Sequence, residues 1–250
     1  MNAQVSQMFR SVQVYFPFLQ DYRFQLQRNV RCLFHKTHEK DFEALSHLPK
    51  SSNKLFLDIG ANRGEAIQSI LLKRPDANVI AFEPNAHLHA KLKNLFKGDK
   101  RVEFYNLGLG SSTGTFELSI PFYNDYMFDG LASFKEERAR GWLRNRLYGF
   151  QSSKLKIKKE ICIVKPLDDL KLKPYFIKID VQGFEYEVLL GARKTITSSK
   201  PILLIESPGK PEIEFLESFG YNCFVYKDNN LVRGKQGLNV FFIPGHLQSE

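Results

Sequence analysis

Cysteine is scarce in this 250-residue chain: Cys32, Cys162 and Cys223 are the whole supply, and no Cys-x-x-Cys pair occurs. An odd, widely spaced set excludes a secreted disulfide framework and argues against a zinc ribbon; it points to a reducing compartment and a cytoplasmic protein. The six histidines offer no metal motif either. His87 and His89 are two apart, so on a helix they point in different directions. No apolar run approaches the roughly 18 residues of a membrane span. The first ten residues lack the apolar stretch of a secretory signal. The 16 Gly and 11 Pro gather into neither a linker nor a repeat, which removes collagen-like and tandem-array readings.

Positive charge is what the chain has in excess, with a formal net charge of +9. Between residues 135 and 160, nine Lys/Arg stand against three Glu, a surplus of six in about a tenth of the chain. Such a block meets an acidic partner, whether nucleic acid, an anionic glycan or a headgroup surface, or it is simply a solvated face. The solvated face is the favoured reading. At 43% hydrophobic and 25% charged, the composition is that of a globular protein able to bury a sizeable core.

From about residue 54 onward, short β-branched runs alternate with helical patterns. Strands are expected at 54–59, 78–82, 102–106, 175–180 and 201–206, and helices at 65–73, 86–97, 181–191 and 211–219. Alternation of this kind means a mostly parallel sheet with helices on both faces. Residues 114–120 read as an inserted strand or hairpin arm. Residues 121–160 are aromatic and basic and become strand-like only from 154. Residues 221–226 and 239–243, around Lys227-Asp228-Asn229-Asn230, read as an antiparallel pair. Residues 1–50 read as a helical, basic cap or dimerisation arm outside the sheet.

The strongest local signal is Leu55-Phe-Leu-Asp-Ile-Gly-Ala-Asn-Arg-Gly64. An apolar strand runs through Asp58 into a glycine-bearing turn and then a helix. Gly60 and Gly64 let a ligand approach the main chain, and the helix amides behind them point into that space. About twenty residues on, the second strand ends in Glu83-Pro84, where an acid suits ribose hydroxyls. A dinucleotide fingerprint needs Gly-x-Gly-x-x-Gly, but position 62 is Asn. Asp58 would repel a pyrophosphate and suits a cationic ligand end, such as the amino group of S-adenosylmethionine. That cofactor is favoured over NAD.

Further blocks follow in order: Ala81-Phe-Glu-Pro-Asn85, Asn106-Leu-Gly-Leu-Gly110 with Gly114-Thr115, Ile177-Lys-Ile-Asp-Val-Gln-Gly-Phe-Glu185, Val188-Leu-Leu-Gly-Ala192 and Pro201-Ile-Leu-Leu-Ile-Glu206. In this set the chain resembles the FkbM-type methyltransferases, a class I S-adenosylmethionine-dependent family. One departure stands out: position 182 is Gln where the family usually has Glu. The resemblance implies a Rossmann-like α/β fold with a seven-stranded, mostly parallel sheet and an antiparallel C-terminal hairpin. It places the methyltransferase domain at 51–250, with an aromatic and basic insert at about 121–160.

By position, Asp58, Gly60, Ala61, Asn62 and Gly64 are expected to face the methionine portion of the cofactor. Glu83 and Pro84 meet the ribose, and Asn85, Asn106, Leu107 and Gly108 border the adenine. S-adenosylhomocysteine would be the product. Asp180 is the leading candidate to accept the proton of a hydroxyl nucleophile, with Glu185 and Glu206 opening on the same cleft. A divalent ion among these acids is possible but not favoured, and no metal ligand is assigned. Asp168-Asp169 reads as a turn. The aromatics Phe122, Tyr123, Tyr126, Phe128, Phe134, Trp142 and Tyr148 are placed to cover the cleft, at least half of them as the core of a lid. The resemblance favours O-methylation of a sugar, glycan or secondary metabolite. An RNA methyltransferase using the basic insert and a non-catalytic S-adenosylmethionine-binding protein are the alternatives.

Overall fold

The computed structural model describes residues 3–49 and 54–247. It opens with helices α1 (Ala3–Gln13) and α2 (Gln20–Leu33) and a 3-10 segment, Lys40–His47. The alternation then begins: β1 (Leu55–Ile59), α3 (Glu65–Lys73), β2 (Asn78–Phe82), α4 (Ala86–Leu95) and β3 (Val102–Tyr105). It is interrupted by β4 (Gly108–Leu109), β5 (Gly114–Tyr123), β6 (Tyr126–Met127), α5 (Glu136–Gly141) and β7 (Leu155–Lys165). It resumes with β8 (Phe176–Ile179), α6 (Glu185–Gly191), α7 (Arg193–Ser199), β9 (Ile202–Glu206) and α8 (Lys210–Ser218). Strands β10 (Tyr221–Lys227), β11 (Asn230–Arg233) and β12 (Asn239–Pro244) close the chain.

The main sheet has the order β11-β10-β12-β9-β8-β1-β2-β3. Strands β3, β2, β1, β8 and β9 are parallel neighbours, and β12 runs antiparallel to β9 and β10. Strands β1, β2, β8 and β9 are buried on both faces, as runs such as Phe-Ile-Lys-Ile in β8 show, because helices cover each side, while β3 at the edge is partly exposed. The expected count of seven strands is corrected to eight. Asp228 and Asn229 both take positive φ (51° and 62°), and Lys227 pairs with Asn230 across them. A two-residue turn of that hand closes a tight hairpin, so it adds β11 at the sheet edge. The pairing of 221–226 with 239–243 is present, but it is not made by that turn.

The interruption forms a second sheet of order β4-β7-β5-β6. Strands β5 and β7 pair antiparallel from Gly114 opposite Val164 to Tyr123 opposite Leu155. The inserted strand expected at 114–120 is thus one arm of a long hairpin, and the aromatic segment is its tip. Tyr123, Tyr126 and Phe128 pack with Leu143, Leu147 and Val14, the residue that follows α1, in a satellite core. At the other end of the N-terminal segment, Phe42, Ala44 and Leu45 are fully buried in one cluster with Phe56, Ile67 and Ile70.

Helix α6 packs close enough to the second sheet that position 191 has no room for a side chain. A Cβ on Gly191 would lie 1.9 Å from the Gly110 carbonyl oxygen, a backbone atom that cannot step aside. Overpacking of a close-packed interior costs about 1–3 kcal/mol. Gly191→Ala is therefore expected to lower the urea midpoint by at least that equivalent, and an unchanged midpoint would show that α6 does not rest on β4.

Candidate active site

The chain order leads from β1 outward to β2 and β3, then returns to build β8 and β9 on the other side of β1. A doubly wound sheet opens a crevice where the order reverses, beyond the carboxyl ends of its strands. The ends of β1, β2, β8 and β9 present Asp58, Glu83, Asp180 and Glu206 there.

The glycine turn after β1 is held tightly. Gly60 and Ala61 donate their amides to the Phe82 carbonyl at 3.0 and 3.1 Å. At φ +83° and with a would-be Cβ 1.9 Å from the Asp180 carbonyl oxygen, Gly60 admits no other residue. Glu83 completes the turn: it accepts the Asn62 amide at 2.7 Å and the Asn85 amide at 2.9 Å. Burial nevertheless raises its carboxyl to about 7, because the two amide bonds offset only part of the desolvation. Two bonds leave lone pairs open on both oxygens.

Lys178 is buried between two carboxylates. In the parallel register it stands opposite Asp58, and Asp180 lies two residues on, on the same face. Its Nζ is 3.3 Å from Asp58 Oδ1, 3.4 Å from Asp180 Oδ2 and 3.2 Å from the Gly60 carbonyl. Burial opposes its charge, but Asp58 and then Asp180 outweigh that and hold its pKa above the ordinary lysine value. Asp58 is wholly enclosed, and burial raises its carboxyl despite Lys178. Apart from the Lys178 ion pair, neither Asp58 oxygen has a hydrogen-bond donor among the described residues.

Gln182 bridges the other pair. Its Nε2 donates to Asp180 Oδ1 at 2.7 Å and to Glu206 Oε2 at 2.9 Å. Desolvation and then Asp180 push Glu206 up to about 9. Asp180 resists its own desolvation through Lys178 and lies below the usual carboxylate range. Two such acids hold one proton between them, and Glu206 keeps it at neutral pH.

The cleft above these groups has two continuous halves. One is lined by Gly60, Glu83, Pro84, Leu107, Gly108 and Phe134, and the other by His38, Glu39, Lys178 and Glu206. Asn62, Asp180 and Gln182 line both halves. Of the residues expected here, Asp180, Glu206, Gly60, Asn62, Glu83, Pro84, Leu107 and Gly108 converge. Ala61 borders the second half, while Asp58 lies beneath the cleft floor, behind Lys178.

Four expected residues stand apart. Glu185 spends Oε1 on the amides of Val181 and Gly183 in its own turn and lines neither half. Asn85 caps α4 by accepting the Leu88 amide at 3.0 Å. Asn106 donates to the Glu83 and Pro84 carbonyls, both at 2.9 Å, so it braces the acidic loop from outside. Gly64, at φ +79°, faces Leu92 and Phe96 on the core side of the turn. Asp168, read as a turn residue, accepts the amides of Lys194 and Thr195. Among the described residues, no three His, Cys, Asp or Glu side chains converge as metal ligands.

The sequence matches the methyltransferase FkbM domain over residues 58–223. The chain belongs to the FkbM methyltransferase family. A crystal structure of methyltransferase FkbM from Methylobacillus flagellatus KT shares its α/β fold, with a TM-score of 0.52 and 19% identity over 82% of this chain and 48% of the other. The AMB antimetabolite synthetase AmbE of Pseudomonas aeruginosa is 26% identical over 228 residues, 77% of this chain. The similarity spans 11% of AmbE's length. Precorrin-6y C5,15-methyltransferase from Geobacter metallireducens GS-15 is 15% identical over 80% of this chain and 82% of the other, at a TM-score of 0.40.

Sequence reasoning about this FkbM-family chain left Lys178, Arg63, Asp129, His38 and Glu39 without roles. Lys178 was legible in principle, since a lysine in an otherwise apolar strand, two residues before Asp180, must find buried partners. Arg63 pairs with Asp129 of the insert and with Asp21 of α2, and it stacks over Phe24 at 4.2 Å. It therefore ties the glycine turn to both covering segments. Burial lowers His38 to about 3, so it is neutral, with Nδ1 2.9 Å from Ser69 Oγ.

Glu83 and Glu206 bind their protons more tightly in the folded chain than at their ordinary value of 4.5. The stability tied to their neutral forms is complete below that pH. It is lost as pH rises through about 7 for Glu83 and about 9 for Glu206. Glu206→Gln stays neutral throughout, so its unfolding free energy is expected to decline less than the parent's between about pH 5 and about pH 9. Equal declines in urea titrations would rule out a buried, protonated Glu206.

Proposed function

We propose that this chain is an S-adenosylmethionine-dependent O-methyltransferase whose acceptor is a hydroxyl on a sugar, glycan or secondary metabolite. The observation that carries the reading is the Asp180–Gln182–Glu206 set at the mouth of the glycine turn. It holds an ionised carboxylate fixed beside a ligand cradle. The fit to the cofactor rests on three features. Only glycine is tolerated at position 60, Glu83 keeps open lone pairs for a diol, and Leu107, Leu109, Leu118 and Phe134 offer an apolar end for a purine. Asp58 and Lys178 set the field under the opposite end, where the ammonium and carboxylate of the methionine portion would sit.

When bound, the cofactor supplies a sulfonium-activated methyl carbon and leaves as S-adenosylhomocysteine. The chain's own task is alignment and proton removal. Holding a hydroxyl in line with that carbon replaces a bimolecular encounter with a positioned one, which contributes several kcal/mol. Asp180 Oδ takes the hydroxyl proton as the oxygen–carbon bond forms. Lys178 keeps Asp180 ionised beforehand, and the Gln182 amide stops it from swinging toward Glu206. The segment Asp129–Leu131, clamped by Arg63, borders both halves of the cleft and shields the reacting atoms from water. Similarity to a stretch of an antimetabolite synthetase supports the secondary-metabolite arm of this reading.

Asp180→Asn is expected to lower the transfer rate by about 10²–10⁴-fold, the usual contribution of a positioned base, with the cofactor's Kd unchanged. Glu83→Ala should weaken cofactor binding by about 1–3 kcal/mol in calorimetry, because the diol loses a charged acceptor. Incubating the protein with a methyl-labelled donor and a cell extract, then identifying the labelled product, names the acceptor. Absence of label on any hydroxyl-bearing compound, with the cofactor shown to bind, would overturn O-methylation.

A further inference from the structure

The N-terminal helices carry an apolar face that none of the described residues covers. Of the nineteen large apolar side chains exposed among the described residues, twelve lie between Met8 and Phe34. On α2 and its first flanking residue they recur as Leu19, Tyr22, Leu26, Val30 and Leu33, spaced three or four apart, so they form one stripe. The opposite side of α2 is the one that docks. Gln20 donates to the Met127 carbonyl, Asp21 pairs with Arg63 and Lys91, and Arg31 pairs with Glu65. Phe9 and Val12 on α1 and Phe16 just after it continue the exposed face, and Phe18, 76% exposed, stands at the junction.

The charge carried by this segment itself is nearly all of one sign. From residue 3 to residue 38 the only acid is Asp21, already neutralised by Arg63 and Lys91. Arg10 and Arg146 stack over Trp142 at 4.7 and 4.3 Å from the ring centre, and Arg10 also donates to the Arg146 carbonyl. The basic insert is thereby set beside α1, where Tyr148 adds another exposed aromatic and bonds its amide to Ser11. Among the described residues, none of Arg10, Arg28, Arg144 and Arg146 forms an ion pair with a carboxylate. A second copy of the chain would bring like charges together. An anionic lipid surface satisfies both halves of the pattern, because aromatic and aliphatic side chains enter the headgroup boundary while arginines meet the phosphates.

We propose that the exposed face of α1 and α2, flanked by Arg10 and Arg146, docks this chain on an anionic bilayer surface. Phe24 of α2 and Asp129–Gly130 border both the His38 and Glu206 half of the cleft and a groove that runs to Phe9, Arg10 and Trp142. If the O-methyltransferase reading holds, docking carries that mouth to the lipid surface, which selects an acceptor bearing a lipid tail. This clause rests on that reading; the docking itself does not.

The test is co-sedimentation of the full chain with phosphatidylcholine vesicles, with and without about one-third phosphatidylglycerol, in the absence of methyl donor and acceptor. Failure of docking is therefore separable from failure of methyl transfer. Binding is expected to the anionic vesicles, to fall as salt rises, and to be weak on the neutral ones. Phe18→Asp and Leu26→Asp, on exposed positions, should each lower the partition coefficient roughly tenfold or more at an unchanged melting temperature. Arg146→Ser should lower it about fivefold, the equivalent of about 1 kcal/mol per arginine near such a surface. No binding to anionic vesicles at low salt, equal binding to neutral ones, or a dimer in light scattering that Phe18→Asp dissociates would each overturn the proposal.

Discussion

One ammonium group, buried where three parallel strands end, organises the acidic floor of this site. Lys178 reaches Asp58 on the neighbouring strand, Asp180 on its own and the Gly60 carbonyl in the turn between them. Without that cation, the enclosed Asp58 and the half-buried Asp180 would face each other as like charges. Its presence lets the chain keep Asp180 ionised while Glu206, one strand further along, remains protonated. The difference in proton affinity between two neighbouring acids is what equips one of them to act as a base.

Gln182 shows how a single side chain sets the character of such a cluster. At this position the chain has an amide that donates to both acids at once, whereas a glutamate would add a third carboxylate. The amide neutralises nothing, but it orients both groups and satisfies an oxygen on each. The glycine turn, the Glu83 loop and the Asn106 brace form a second rigid unit above the floor. Arg63 fastens the covering segments to that unit through Asp21 and Asp129.

Much of the scaffold was legible from periodicity. The helix at Glu65–Lys73 and the strand at Asn78–Phe82 fall where the pattern puts them, because their apolar residues repeat at intervals that only one secondary structure buries. Strand β11 was not legible, since Asn230–Arg233 is short, polar and pairs on one edge alone. The stretch from residue 121 to 153 showed no clear period because, beyond the end of β5, it holds only the two-residue β6 and the short α5 between irregular turns. Glu185 looked like a cleft residue from its spacing after Asp180. Only the path of the turn revealed that its carboxylate folds back onto the Val181 and Gly183 amides.

The linear order of residues settled which chemistry was on offer: a glycine turn after an apolar strand, an acid at the end of the next, and an Asp-x-Gln run further on. Those are local properties, carried by backbone conformation and side-chain type within a few positions. Three-dimensional folding alone decided which groups became neighbours across strands and across the 42 to 66 residues that separate Arg63 from Asp21 and Asp129. Proton affinity and partnership depend on distance and on exclusion of water, and neither quantity exists until the sheet has closed around them.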